Sequence, residues 1–194
     1  MASVVADSGT FTIGSRVGDP ITVRRLGFGA MRIVGTGVWG DPPSRDEAVA
    51  VLRMAVDLGV TFIDTADSYG PYISEDLIKE ALYPYEGLLI ATKGGLTRQG
   101  PDIWNAVGRP EYLRIDPYVP AIEQFGVIRE MQQEGLIRHV GLSEISVDDL
   151  LQAQEVLDIV TVQNLYNVGF RGSEELLQHC TMNDIGFIPW FPLG

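Results

Sequence analysis

SRDEAVAVLRMAVDLGVTFID, residues 44–64, decides the fold. Ser44 followed three residues later by Glu47 is a capping-box signature, in which the hydroxyl and the carboxylate satisfy backbone N–H groups at a helix start. Apolar residues then recur at helical spacing to Leu58, and Gly59 supplies the left-handed residue that ends such a helix. VTFID (60–64) follows at once as a buried strand, and LGFGAM (26–31) precedes the helix as another short apolar run. Strand, helix and strand in that order make a βαβ unit, with parallel strands joined by a right-handed crossover.

The unit repeats outward from there. Ser74 with Glu75 and Asp76 predicts a helix start, since acidic residues complement the positive end of the helix dipole, and this helix runs to about Tyr83 before the strand LLIAT (88–92). Beyond it the pattern predicts a helix at 121–134 stopped by Gly135, the strand IRHVGL (137–142), and a helix at 147–157 behind Ser146. The strand IVTVQ (159–163), a helix behind Ser173 and the strand GFIPW (186–190) complete the series. On the N-terminal side, FTIGS and ITVRR flank turn chemistry at Arg16–Pro20, so residues 11–25 read as a hairpin. The expected organisation is an arm and hairpin over 1–25, then one α/β domain over 26–194.

A barrel and an open doubly wound sheet both fit alternating strands and helices. No G-x-G-x-x-G follows the first strand, and polar residues gather where strands end, at Asp64, Lys93, Ser143 and Gln163. In a closed barrel those ends share one face and build the active site there, so a (β/α)8 barrel is expected. Such a barrel needs eight strands in roughly 200 residues or more, and six are visible. The stretch from Lys93 to Pro120 reads as a connection with almost no regular structure, which is long for a compact domain.

Composition narrows the partners. With 26 acidic against 14 basic residues, the formal charge of −12 offers no basic footprint to nucleic acid and repels anionic lipid. Nor does any apolar run approach the ~20 residues of a membrane span, and the N-terminus lacks the charged start and apolar stretch of a secretory signal. The single cysteine, Cys180, reads as core filler rather than as a nucleophile, and its solitude fits a cytoplasmic protein. No metal site is assigned, and the oligomeric state is not legible.

The chemistry sits at strand ends. IDTADSYG (63–70) sets Asp64 at the end of one strand and Tyr69 on the loop after it, and ATKGG (91–95) sets Lys93 at the end of the next. Tyrosine is a poor acid, with an ordinary pKa of ~10, but an adjacent ammonium stabilises the phenolate and lowers that value while a carboxylate holds the ammonium. The trio is thus an acid catalyst for protonating a carbonyl oxygen. Each residue alone has an ordinary structural reading as a turn cap, a surface aromatic or a solvated charge, and it is their convergence that favours catalysis.

LGFGAMR, FIDTADSYG, LLIATKGG, IRHVGLSE, VQNLYN and FIPWFPLG, in that order from Leu26 to Gly194, resemble successive strand-end motifs of the aldo-keto reductase family. The resemblance implies an eight-stranded barrel that binds NADP(H), or less often NAD(H), in an extended pose. It implies that Tyr69 is the proton donor, Lys93 its tuner and Asp64 the partner of Lys93. It further implies that Ser143 and Gln163 hydrogen-bond the carboxamide, that Tyr166 stacks on the nicotinamide, and that Gly29, Ala30 and Met31 form the loop beside it. Asp64 counts among the cofactor contacts as well, and Trp190, Phe191, Pro192, Leu193 and Gly194 match the start of the pyrophosphate-binding stretch. Glu144 stands where the family usually has Asn and is given no role.

Two departures from the family pattern carry consequences. Its catalytic histidine ends the fourth strand in a motif like LYQLHRIDP, whereas here RPEYLR (109–114) runs straight into IDP (115–117), so that roughly 20 residues of helix and strand are missing. A real deletion at Arg114 and Ile115 would open the core and expose two strand edges. The sequence also stops at Gly194, before the strand and helix that grip the adenosine phosphate, which predicts weak NADP(H) binding by these residues alone. Neither remaining histidine is read as a substitute, His139 lying inside a strand and His179 on a helix. Three functions stay open: a reductase of small aldehydes or ketones with tyrosine as proton donor; a catalytically impaired or non-enzymatic relative that keeps part of the cofactor cradle; and a barrel aldolase using Lys93 as a Schiff-base nucleophile. Trp104 and Tyr72 are candidate walls of an apolar substrate pocket.

Overall fold

The computed structural model describes residues 4–106 and 121–193. The chain divides into two units, Met1–Phe11 with Val23–Asp116, and Thr12–Thr22 with Pro117–Gly194. A short helix, α1 (Val4–Asp7), leads into the expected hairpin of β1 (Thr10–Ile13) and β2 (Ile21–Arg24).

The first unit is built on a three-stranded parallel sheet. Its strands are β3 (Phe28–Gly29), β4 (Phe62–Asp64) and β5 (Leu89–Ala91), with α2 (Arg45–Asp57) between the first two and α3 (Ile73–Leu82) between the last two. Ser44 caps α2 as its spacing requires, its Oγ accepting the Glu47 N–H at 3.2 Å. Leu52 of α2, Ile63 of β4 and Leu77 of α3 are fully buried in one core with Ala30, Val49 and Ile78. Burying a leucine or isoleucine is worth about 1.5–3 kcal/mol, so these side chains hold the helices on the sheet.

Two local expectations are corrected here. The expected helix behind β4 forms as α3 but starts one residue earlier than Ser74. The helix begins at Ile73 behind Tyr72, which is left-handed (φ 63°), and Ser74 lies inside it, fully buried and 2.8 Å from the Thr65 hydroxyl. Buried hydroxyls need hydrogen-bond partners, and Ser74 and Thr65 supply each other's. The second correction falls between Lys93 and Pro120, where an antiparallel hairpin forms from β6 (Leu96–Gly100) and β7 (Ile103–Ala106). Gly100-Pro101-Asp102 makes its turn, with Asp102 at φ 54°. The junction of Arg114 and Ile115 lies outside the described residues.

The second unit carries α4 (Ala121–Gln133), β8 (Val140–Ser143), α5 (Val147–Gln154), β9 (Ile159–Leu165), α6 (Glu174–Met182) and β10 (Gly186–Trp190). Its strands form a parallel sheet in the order β10-β9-β8. Ser146 opens α5 with a full capping box, its hydroxyl accepting the Asp149 N–H while the Asp149 carboxylate accepts the Ser146 N–H. Cys180 is fully buried and its thiol is pushed up to about 11 by burial, which fits the core role expected of it. His139 stands just before β8 rather than within it. Its Nε2 is 3.3 Å from Asp19 Oδ2, near enough for charge but not aligned as a hydrogen bond, and the ring packs where a Cβ on Gly14 would collide.

Candidate active site

Strand register brings the predicted residues of the first unit into line. Gly29 on β3 pairs with Asp64 on β4, and Asp64 with Ala91 on β5, so Lys93 stands just past the end of the same row. The Lys93 ammonium donates to Asp64 Oδ1 at 2.6 Å and to the Thr65 carbonyl at 2.9 Å. Both side chains are mostly covered, at 26% and 18% exposure, so the pair is screened less than a surface ion pair. From the other side, the ammonium lies 5.4 Å from the centre of the Tyr69 ring.

Tyr69 is reached by a tightly held loop. Gly70 follows it at φ 95°, where a Cβ would come within 2.5 Å of Ile73 Cβ, so only glycine lets α3 start this close behind the tyrosine. Gly70 is also pinned to the 35–40 loop, its N–H donating to Val38 O and its carbonyl accepting from Gly40. The phenol departs from expectation in one respect. Burial, and secondarily the negative charge of Asp64, push its pKa up rather than down. Lys93 already shares its charge with the Asp64 carboxylate, so desolvation dominates what Tyr69 experiences.

The hairpin that sequence reasoning missed completes this surroundings. Trp104 on β7 meets the Tyr69 ring edge-on, with centres 6.4 Å apart at 86°. Arg98 on β6 lies over Trp104, its guanidinium carbon 3.6 Å from the ring centre. Gly100-Pro101-Asp102 between an L-T-R run and an I-W-N run was the available hairpin signal. Tyr72, the other candidate wall, is 57% exposed at the head of α3. Gly29 has open space where a Cβ would project, while Ala30 is fully buried and Met31 packs against the core.

In the second unit, Ser143 on β8 and Gln163 on β9 are register partners, and Gln163 pairs on its other side with Ile188. Tyr166, just beyond β9, donates its hydroxyl to Glu174 Oε2 at 2.7 Å, meets Phe187 edge-on, and carries the Arg171 guanidinium 4.8 Å from its ring centre. Trp190, Phe191 and Leu193 are exposed at 39%, 55% and 98%, and Pro192 is exposed with them. Gly194 lies outside the described residues. Glu144, given no role from sequence, anchors this end of the sheet. Left-handed at φ 56°, it accepts the Leu165 N–H at 2.8 Å and the Trp190 indole N–H at 2.5 Å through one carboxylate oxygen.

Comparison with known proteins bears directly on this constellation. The model of the aldo/keto reductase family matches residues 25–114 and 112–194. The chain belongs to the aldo-keto reductase family. The two matched segments meet at 112–114, the place where the order of motifs breaks in the sequence. An uncharacterised oxidoreductase of Schizosaccharomyces pombe is 48% identical over 201 residues, taking in 92% of this chain and 65% of its own length. Pyridoxine 4-dehydrogenase of Escherichia coli is 37% identical over 216 residues, 96% of this chain and 74% of that one. The fold is the α/β fold of these enzymes: a glycerol dehydrogenase structure from Gluconobacter oxydans superposes with a TM-score of 0.82 at 26% identity, covering 94% of this chain and 63% of its own. The chain therefore spans about two thirds of the length of these relatives.

Proposed function

We propose that this aldo-keto reductase reduces a small aldehyde or ketone to the alcohol with a nicotinamide cofactor, NADP(H) in the first place and NAD(H) as the alternative, and that Tyr69 donates the proton. The observation that carries the reading is the Lys93 ammonium lying between the Asp64 carboxylate and the Tyr69 ring, at the ends of adjacent parallel strands.

The residues present suit such a cofactor. Within the second unit, Ser143 and Gln163 are register partners at two strand ends and carry a hydroxyl and an amide of the kind that bonds a carboxamide, and the exposed Phe191 and Leu193 each carry a backbone N–H of the kind that bonds phosphate. Tyr166 can stack on a ring only through a face that Arg171 does not occupy. When bound, the cofactor supplies hydride to the carbonyl carbon. Tyr69 gives its proton to the carbonyl oxygen as charge develops there, and the Lys93 ammonium stabilises the tyrosinate left behind. Asp64 and the Thr65 carbonyl hold that ammonium in place.

Burial keeps the Tyr69 proton on at neutral pH but makes the phenol a weaker acid than an ordinary tyrosine, so the transfer depends on the Lys93 ammonium stabilising the tyrosinate as it forms. The aldolase reading is disfavoured by the same geometry: a lysine engaged as a cation in two hydrogen bonds has no lone pair to offer a carbonyl. Cytoplasmic residence is part of the proposal; among the described residues no helix is long and apolar enough to cross a membrane. The test is turnover of a panel of small aldehydes and ketones with NADPH and with NADH, alongside borohydride trapping. Cofactor oxidation coupled to alcohol formation is expected. A borohydride adduct on Lys93, or no cofactor oxidation with any carbonyl, would overturn the reading.

A further inference from the structure

We propose that Arg98 is a positioning residue for carbonyl reduction, one that sets Tyr69 from two sides at once. This rests on the reading of Tyr69 as proton donor. A guanidinium has five N–H donors in a fixed plane, and here every one is spent on a backbone carbonyl. Nε donates to Ile103 at 2.9 Å; Nη1 donates to Val38 at 2.9 Å and Ser68 at 3.1 Å; Nη2 donates to Gly37 at 2.8 Å and Gly100 at 3.2 Å.

Those carbonyls come from three separate segments. Ile103 and Gly100 belong to the hairpin, Val38 and Gly37 to the loop that also pairs with Gly70, and Ser68 immediately precedes Tyr69. The guanidinium also lies over Trp104, which packs T-shaped against Tyr69, and its carbon is 5.8 Å from the centre of the Trp39 ring. Gly37 lets the hairpin approach so closely: it is at φ 68°, a Cβ there would fall 2.7 Å from Pro101 Cβ, and its carbonyl also accepts the Asp102 N–H. Arg98 thus fixes the backbone leading into Tyr69 and the ring beside it. With all its donors consumed, it is not an anion-binding residue. Lysine cannot replace it, since an ammonium has three donors and no plane to stack.

The test uses the full chain with 5-fluorotryptophan at Trp39, Trp104 and Trp190, each fluorine resonance assigned by a Trp→Phe variant. Arg98→Lys should shift the Trp104 resonance and leave Trp190 in place. It should lower kcat for a small aldehyde by about 10- to 100-fold, the order that a small misplacement of reacting groups costs, with the carbonyl KM and the NADPH dissociation constant within about threefold of the parent. Trp104→Ala, which removes the stacked ring, should give a similar fall in kcat and serves where Arg98→Lys does not fold. An unmoved Trp104 resonance in Arg98→Lys, or an undiminished kcat in either variant, overturns the proposal. If the parent reduces no carbonyl, the reductase reading fails with the kinetic half of the proposal, while the Trp104 resonance still decides whether Arg98 holds the ring.

Discussion

The surroundings of Tyr69 and the exposed end of the β8-β9-β10 sheet are organised by opposite means. Around Tyr69 most polar side chains are covered and engaged: Lys93 is bonded to Asp64 and Thr65, Arg98 to five carbonyls, and Ser74 to Thr65 within the core, while Asp67 Oδ1 and Asn105 Nδ2 are buried without a hydrogen-bond partner. At the end of β10 the groups that resemble a cofactor cradle are aromatic and open, and one carboxylate, Glu144, ties three strand ends together. The difference matches two tasks. A proton donor must be preorganised and dry for its charge interactions to count, whereas a surface for an extended ligand must stay accessible until the ligand covers it.

That contrast can be broken at four points, in decreasing order of effect. Tyr69→Phe should lower carbonyl reduction by about 10²- to 10⁴-fold, the range a general acid supplies, with NADPH affinity in a fluorescence titration hardly changed. Retained turnover would remove Tyr69 as the donor. Lys93→Met leaves a half-buried carboxylate without its ammonium partner, and a urea melt should show about 1–3 kcal/mol less stability along with a loss of rate. Ser74→Ala, which strips the buried Thr65 hydroxyl of its partner, should cost about 1 kcal/mol in the same melt and little in kcat. Glu144→Ala should cost less than about 1 kcal/mol, because its partners are exposed, yet should move Trp190 fluorescence; Glu144→Gln, which can still accept, should restore it.

How far the sequence carried depended on whether a signal was local. The helix from Ser44 to Leu58 and the one behind Ser146 were legible because a cap, an apolar period and a stop lie within a few turns of one another. The six parallel strands among the described residues were legible as short apolar runs between such helices, and their ends pointed to Asp64, Lys93, Ser143 and Gln163. The β6-β7 hairpin escaped because Thr97, Arg98 and Asn105 make its alternation polar, so that it resembled loop. The buried role of Ser74 escaped because its hydroxyl partner, Thr65, is brought to it only by folding. Arg98 and Glu144 belong to the same class: what each holds is assembled from three segments, and no spacing within the chain announces it. The upward shift of Tyr69 escaped for a related reason, since the burial of the phenol and the Asp64 carboxylate beside it are set only by folding.

The most direct test of the account is the ionisation of Tyr69 itself, read by ultraviolet difference titration of the parent against Tyr69→Phe. A phenol whose pKa is higher in the folded chain than in the unfolded one holds its proton more tightly when folded. Its contribution to stability is complete below the ordinary tyrosine value of about 10 and is lost as pH rises beyond it. The account predicts that the Tyr69 signal appears only above that value, so the donor keeps its proton throughout the neutral range. Ionisation of Tyr69 below about 10 would mean that Lys93 outweighs burial and Asp64, and would contradict the picture of a dry, firmly protonated donor.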